Sequence, residues 1–203
     1  MKASVLEKWD GHVVTAGREP VRDIVAEFER VLADAVDERP LQSILALAPV
    51  LLGPLAPPGG SYWCLDRPQL GAEYVPDFLL ASATSVGFRW IAIELESPTA
   101  KALTKAGLPA RKLADALGQI RDWRTWLMDN VAYARQERGL KDIDGNCEAV
   151  VVIGRRSSLD PKQVNRYRAI STDGITVMSY DRLHDSMRNG SSYGTGWDEK
   201  HGH

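Results

Sequence analysis

The N-terminal part of the chain repeats hydrophobic residues at helical spacing. From Val21 to Val36 they recur every three or four positions after Pro20, whose fixed backbone suits the first turn of a helix. A second helix is predicted from about Pro40 to Leu52, with a stop at Gly53 and Pro54. The connector GPLAPPGG follows, and its prolines and glycines disfavour regular structure. The pattern therefore predicts two N-terminal helices.

The middle of the chain changes to short extended segments. SYWCL, EYVPDFLLA and FRWIAIELE are each bounded by turn residues, which favours an antiparallel meander. In the segment WIAIELESP, a period of two puts the isoleucines and the leucine on one face of a strand. Glu94 and Glu96 fall on the other face with Trp90 and Ala92. Two carboxylates thus lie side by side at the end of an otherwise apolar strand.

The C-terminal half alternates helices and strands. A helix is predicted from about Pro109 to Arg138. Beside its apolar stripe runs a polar stripe of Lys112, Asp115, Gln119 and Asp122. EAVVVIG is typical of a strand buried on both faces. LDPKQVNRYRAIS is predicted as a helix capped by Asp160, GITVMSY as a strand and SYDRLHDSMRN as a closing helix. This order predicts an α/β fold with a mixed central sheet flanked by helices, a core that one group of metal-dependent nucleases has.

Length and composition predict a single domain over residues 1–188, followed by a flexible tail over 189–203. Hydrophobic residues make up 44% of the chain and charged residues 26%, which is ordinary for a soluble globular protein. No apolar run is long enough to span a membrane, and MKASVLEKWDGH lacks the apolar core of a secretion signal. We therefore expect a cytoplasmic protein. Cys64 and Cys147 have no nearby Cys or His partners and are expected to be buried or half-buried.

The net charge of -2 excludes a globally basic nucleic-acid binder but not a local basic surface. Two regions collect cationic residues: Arg111, Lys112, Arg121, Arg124, Arg135, Arg138 and Lys141, and then Arg155, Arg156, Lys162, Arg166 and Arg168. Taken alone, these residues favour solvated helix faces, because acidic residues are interspersed among them.

Three acidic residues are placed where they can share a metal ion. Glu94 and Glu96 point to the same side of one strand, and an adjacent strand can bring Asp77 of VPDFLL close to them. Hard cations such as Mg²⁺ bind clustered carboxylate oxygens and keep positions open for water and phosphate. An isolated ExE more often faces solvent or pairs with Lys and Arg, so the flanking motifs decide between the two interpretations.

The flanking motifs carry a family resemblance. VPDFLL, a strand with IELESP, a loop with LTKAG and a helix with ADALGQIRDWRTWLMDN follow one another in this order. Together they resemble the nuclease domain of the Shedu family of bacterial antiphage proteins, which belongs to the PD-(D/E)xK nuclease superfamily. The resemblance covers roughly residues 37–180 and begins with DERPLQSILALAPVLL. It implies a restriction-endonuclease-like core and a metal-dependent endonuclease that cleaves DNA in antiphage defence.

Carried over by position, the resemblance implies roles for individual residues. Asp77 would be the metal-binding aspartate, Glu94 the acidic residue of the second strand, and Mg²⁺ or Mn²⁺ the cofactor. Gln119 would lie on the helix over the site, where its amide can bind a metal-bound water or a phosphate oxygen. Glu38 aligns loosely with an acidic residue that some members contribute from the first helix as a metal ligand.

Glu96 stands where the superfamily usually has lysine. That lysine supplies a positive charge that orients water and offsets phosphate repulsion, which a glutamate cannot do. Three interpretations are open: Glu96 is an extra metal ligand, a lysine from elsewhere supplies the charge, or the site has lost cleavage activity. The candidates for the displaced charge are Lys105 in the following loop and Lys112, two helical turns before Gln119.

Other catalytic classes lack their motifs. The chain has no GxSxG, GxxxxGK[ST] or GxGxxG, which argues against a serine hydrolase and the usual nucleotide-binding loops. The leading hypothesis is a DNA nuclease whose basic helices contact the phosphate backbone without reading bases, and which has no membrane partner. The alternatives are an inactive nucleic-acid-binding module that kept the fold, and a regulatory protein that acts only as a homo-oligomer.

Overall fold

The computed structural model describes residues 13–15, 21–56, 61–71, 74–171 and 173–198. Within these residues, six strands form one sheet in the order in which they occur along the chain. They are β1 (Val13–Thr15), β2 (Ser61–Asp66), β3 (Phe78–Thr84), β4 (Gly87–Leu95), β5 (Glu148–Val152) and β6 (Ile175–Met178). Strands β1 to β4 pair antiparallel, whereas β5 is parallel to both β4 and β6. The sheet is therefore mixed, as predicted.

The α-helices of the described residues lie before, between and after these strands. They are α1 (Val21–Asp34), α2 (Arg39–Leu47), α3 (Arg111–Asp129), α4 (Val131–Gln136), α5 (Val164–Ala169) and α6 (Tyr180–Asp198). Short 3₁₀ helices cover Pro49–Leu55, Arg156–Ser158 and Pro161–Gln163. Strands β3 and β4 are joined by a short turn, whereas α1 and α2 lie between the antiparallel strands β1 and β2. The parallel pairs require crossovers, which contain α3, α4 and α5.

Two hydrophobic clusters cover the two faces of the sheet. Ile91, Ile93 and Leu95 of β4 pack in a cluster with side chains of α1, α2 and α6. Trp90 and Ala92 pack in a second cluster, which contains the buried stripe of α3. Strand β5 likewise contributes alternate residues to both clusters, so it is buried on both faces as predicted. The predicted fold class is confirmed, and the architecture is compatible with a restriction-endonuclease-like core.

The predicted helix from Pro40 to Leu52 is divided into two kinds of helix. Its α-helical part ends at Leu47, because Pro49 has no N–H and disfavours helical backbone at Ala48, where φ is -129° and ψ is 68°. A 3₁₀ helix then continues through the predicted stop to Leu55.

The other boundaries differ in smaller ways. The predicted helix from Pro109 to Arg138 is divided at Asn130, whose side-chain amide donates to the Trp126 carbonyl at 3.0 Å. A 3₁₀ turn precedes α5, and Asp160 caps that turn as predicted by accepting from the Lys162 N–H. Strand β1 was not predicted, because three residues are too few for a periodic signal.

Helix α6 extends to Asp198, beyond the position at which the tail was predicted to begin, and residues 199–203 lie outside the described residues. Both cysteines are buried and free, as expected. None of the helices in the described ranges is long and apolar enough to cross a membrane.

Candidate active site at the edge of the sheet

Strand pairing brings Asp77 and Glu94 together. Phe78, the first residue of β3, pairs with Ile93 of β4 in antiparallel register. One position further along, Asp77 therefore lies opposite Glu94, at the edge where β3 begins and β4 ends. Leu95 N–H also donates to Asp77 Oδ2 at 2.7 Å, which ties the end of β4 to the start of β3.

Asp77 is held by two hydrogen bonds on different oxygens. Oδ2 accepts from the Leu95 backbone, and Oδ1 accepts from Gln42 Nε2 of α2 at 3.0 Å. Burial raises the pKa of Asp77 to about 6, and the charges of Glu38 and Glu96 act in the same direction. The Leu95 bond and the Arg67 guanidinium oppose this rise. Near neutral pH, Asp77 is thus still mostly ionised, although its pKa is higher than usual.

Glu94 is the most perturbed carboxyl of the group. It is 6% exposed, and burial raises its pKa to about 8, with further increases from the charges of Asp77 and Glu96. Gln119 Nε2 of α3 lies 3.4 Å from both carboxyl oxygens. The indole N–H of Trp123 lies close enough to Glu94 to favour its ionised form, but the buried Nε1 has no hydrogen-bond partner among the described residues. The site therefore has an unused N–H donor beside its most deeply buried acid.

Glu96 is paired with a lysine from α3. Lys112 Nζ lies 3.2 Å from Glu96 Oε2, with the lysine side chain 58% exposed and the glutamate 15% exposed. Burial raises the pKa of Glu96 and outweighs the opposing effect of Lys112, while the same contact raises the pKa of Lys112. A positive charge therefore lies beside the position at which the resemblance leads us to expect a lysine.

Glu38 and Tyr180 border the same group from the other side of the sheet edge. Glu38 is half-buried at the start of α2, and its charge raises the pKa of Asp77 and of Glu96. Tyr180, the first residue of α6, is fully buried, and its hydroxyl has no hydrogen-bond partner among the described residues. Burial raises the pKa of Tyr180 well above its usual value, and the charges of Asp77, Glu38 and Glu96 add to this effect.

The predicted site residues do not all converge. Asp77, Glu94, Glu96, Gln119, Lys112 and Glu38 lie together at this edge. Lys105 does not join them: it is exposed, and its carbonyl accepts from Gln163 Nε2 at 3.1 Å. Within the described part of the chain, no contact joins the Lys105 side chain to these acids.

Sequence reasoning missed two residues at the site, Gln42 and Tyr180. Gln42 lies four positions after Glu38, so the two share one face of α2, and this spacing was a usable signal. Tyr180 lies two residues after the end of β6 and gave no signal, because only the parallel pairing of β5 with β6 brings the end of β6 to the site.

Several predicted basic residues have structural partners. Arg124 donates to the carbonyls of Cys147 and Asp173, and Arg155 pairs with Asp181. Arg166 donates to the Ala106 carbonyl. The side chain of Arg168 lies outside the described part. The basic regions are therefore partly used to hold the fold together.

The donor set suits a hard divalent cation in its chemistry. Buried carboxyls that repel one another lose that repulsion when a cation binds, and Mg²⁺ needs only one or two protein carboxylates, with water and phosphate completing its coordination. Asp77 and Glu94 supply such a pair. Among the described residues, however, no three His, Cys, Asp or Glu side chains converge closely enough to hold a metal. The residues fit a two-carboxylate site rather than a cation held by three or more protein ligands.

The fold and site together define the class of protein: an α/β chain with a mixed sheet, flanked by helices, that carries acidic residues at one sheet edge. The family model for "Shedu protein SduA, C-terminal" matches residues 35–184, most of the chain. The chain therefore belongs to this family, which confirms the resemblance to Shedu proteins and points to antiphage defence. No curated protein matches the chain.

Proposed function

We propose that this protein hydrolyses phosphodiester bonds in DNA, with Mg²⁺ or Mn²⁺ as cofactor, in the bacterial cytoplasm during antiphage defence. The observation that carries the proposal is the position of Asp77: it directly precedes β3, lies opposite Glu94 of β4 when the strand register is continued, and raises the pKa of Glu94 through its charge. Burying two mutually repelling carboxyls at a sheet edge is costly for a purely structural role. Membership of the Shedu protein SduA C-terminal family supports the defence setting.

The chain's own residues have distinct roles in this proposal. Asp77 and Glu94 hold the cation, and Glu38 lies near enough to influence it through its charge. A divalent cation held there would polarise the phosphodiester and help to generate hydroxide from water. As a ligand Glu94 would be ionised, so its proton would have to leave for the cation to be held there. The exposed amide of Gln119, which faces Glu94, then orients a water or a phosphate oxygen.

Lys112 supplies the positive charge that a strand lysine would otherwise provide. Its ammonium group is anchored by Glu96, and its side chain remains more than half exposed, so a phosphate can approach it. In the usual superfamily pattern, the strand carries the lysine. In this chain, the end of the strand carries the carboxylate of Glu96, and α3 carries the positively charged Lys112. Glu96 serves in this arrangement as a partner of Lys112 rather than as the activating residue.

DNA contacts outside the acidic group come from exposed cations, among them Arg111, Arg121 and Lys101. Such contacts bind phosphates and carry little sequence information. The proposal includes a homo-oligomer, in which the phosphate-binding surfaces of several chains would contact the same DNA.

The deciding experiment incubates supercoiled and linear DNA with the protein across Mg²⁺ and Mn²⁺ concentrations, beside an Asp77→Ala/Glu94→Ala variant. We expect metal-dependent nicking or cutting by the wild type and none by the variant. Equal cleavage by both proteins, or none by either with any metal, would contradict the proposal.

The second candidate is a nuclease-fold module that binds DNA without cleaving it. The glutamate at position 96 favours it, together with the absence of a three-ligand metal cluster among the described residues. It predicts DNA binding that the Asp77→Ala/Glu94→Ala change leaves intact, with no cleavage by the wild type.

A further inference from the structure

Helix α2 gives Asp77 a second hydrogen-bond donor. Gln42 Nε2 lies 3.0 Å from Asp77 Oδ1, while Leu95 N–H occupies Oδ2 at 2.7 Å. A carboxylate with one donor can still turn about its Cβ–Cγ bond. Donors on both oxygens fix the carboxylate plane, because a hydrogen prefers to approach an sp² oxygen in that plane. Together with the Leu95 N–H, Gln42 therefore sets the orientation of the Asp77 carboxylate plane.

The position of Gln42 is itself well fixed. Its neighbour Leu41 and the next-turn residue Leu45 are both completely buried and pack α2 against the sheet. The Gln42 N–H donates to the Glu38 carbonyl at 2.8 Å, so the helix already has regular hydrogen bonding at this residue. The donor that reaches Asp77 is therefore carried by a rigid element.

The chemical type of the donor is informative. A lysine or arginine at position 42 would pair with Asp77 and repel a cation. The neutral amide of Gln42 orients the carboxylate and leaves its negative charge available, and each oxygen of Asp77 keeps a further lone pair. We propose that Gln42 is the positioning residue of the candidate cation site, orienting Asp77 without neutralising it. The inference rests on the proposed function and deepens it by giving α2 a part in cation binding.

The test measures Mn²⁺ affinity of the full chain by calorimetry, with Gln42→Met and Gln42→Lys beside the wild type. Met removes the donor at similar length and helix propensity, and Lys keeps a donor but adds charge. We expect Gln42→Met to bind Mn²⁺ about tenfold more weakly, as for other partners that orient metal ligands, and Gln42→Lys to bind more weakly still. Saturating Mn²⁺ should restore most of the cleavage by Gln42→Met.

Ser43→Ala provides the matched control, since Ser43 lies on the same helix, is exposed and only donates to the Arg39 carbonyl. It should bind Mn²⁺ as the wild type does. Urea unfolding checks that each variant is folded, and Gln42→Asn, which keeps the amide on a shorter side chain, replaces Gln42→Met if that variant does not fold. It should show the same loss.

The outcomes separate this inference from the proposed function. Wild-type affinity in folded Gln42→Met would overturn the positioning role and leave the nuclease proposal intact. Mn²⁺ binding without DNA cleavage by the wild type would overturn the nuclease proposal, while the affinity comparison would still decide the role of Gln42. A wild type that binds no Mn²⁺ would overturn both.

Discussion

Lys112 Nζ lies 3.2 Å from Glu96 Oε2, so a helix delivers a positive charge to the end of a strand that carries an acid in the expected lysine position. The pair joins α3 to the sheet edge that bears Asp77 and Glu94. Of the three interpretations of Glu96, this pair matches the one in which a lysine from elsewhere supplies the positive charge.

If Lys112 supplies the catalytic charge, Lys112→Ala should abolish cleavage while DNA binding falls less than about tenfold. The free energy of unfolding should change by less than about 1 kcal/mol, because a pair with an exposed lysine contributes little to stability. Gel-based cleavage and a DNA-binding titration measure the two effects. Arg30→Ala, which also removes an exposed cation paired with a glutamate, Glu27 of α1, is the control.

Lys105→Ala distinguishes the two lysines. Since the Lys105 side chain does not contact the acids in the described part of the chain, Lys105→Ala should keep cleavage. Loss of cleavage in Lys105→Ala with normal cleavage in Lys112→Ala would reverse the assignment.

Gln119→Ala should reduce cleavage by about 10- to 100-fold, because the amide that faces Glu94 no longer orients a water or phosphate. Stability should hardly change at this exposed position. Asp122→Ala, on the same polar stripe of α3, is the matched control for rate measurements at fixed Mn²⁺. Equal rates for the two variants would remove Gln119 from the mechanism.

The raised pKa of Glu94 makes stability depend on pH. Between the usual pKa of 4.5 and about 8, the folded chain keeps a proton on Glu94 that the unfolded chain has released. Stability of the metal-free protein should therefore fall as pH rises through this window, by up to about 1.4 kcal/mol per pH unit. Glu94→Gln cannot ionise and should flatten the slope above pH 6.5 or so, where Asp77, with its pKa of about 6, contributes little.

Urea unfolding with a chelator, measured at several pH values, checks this expectation. An unchanged slope in Glu94→Gln would show that Glu94 is already ionised in the folded metal-free chain. In the wild type, Mn²⁺ affinity should rise over the same pH range, because binding must displace the proton.

Substitution of two glycines by alanine tests how far the backbone near the site tolerates a side chain. Gly154 has φ of 67°, and an added Cβ would lie 2.4 Å from the Ala100 carbonyl oxygen. Its N–H donates to the Ser97 carbonyl at 3.2 Å, just beyond Glu96. Gly154→Ala should lower the free energy of unfolding by more than about 1 kcal/mol and weaken cleavage, because it displaces this turn.

Gly118→Ala is the matched opposite case. Gly118 lies inside α3, and nothing lies within 4 Å of an added Cβ. This change should stabilise the protein by roughly 0.5–1 kcal/mol through helix propensity. Thermal and chemical unfolding of both variants measure the contrast, and destabilisation by Gly118→Ala would show that this face of α3 is covered.

Hydrophobic periodicity alone determined the fold class and most of the elements. Each buried face of a helix or strand requires hydrophobic residues at a fixed spacing, and this spacing can be seen in the sequence. The alternation in β4 separated Ile91 and Ile93 from Glu94 correctly, and EAVVVIG indicated a strand buried on both faces. Helix ends were less accurate. The break at Asn130 depends on backbone geometry that most residue types can adopt, and Pro49 was included in a helix that it interrupts.

The site was only partly determined by the sequence. Spacing on one strand placed Glu94 beside Glu96, and the shared stripe on α3 linked Lys112 with Gln119, since both relations are local. Only the tertiary structure decided that Lys112 pairs with Glu96 and that Gln42 binds Asp77. These contacts join elements far apart in sequence, and their geometry follows from strand register and helix packing. The same reason explains why Lys112, and not Lys105, lies beside Glu96: α3 packs over the sheet edge, whereas the loop with Lys105 contacts Gln163.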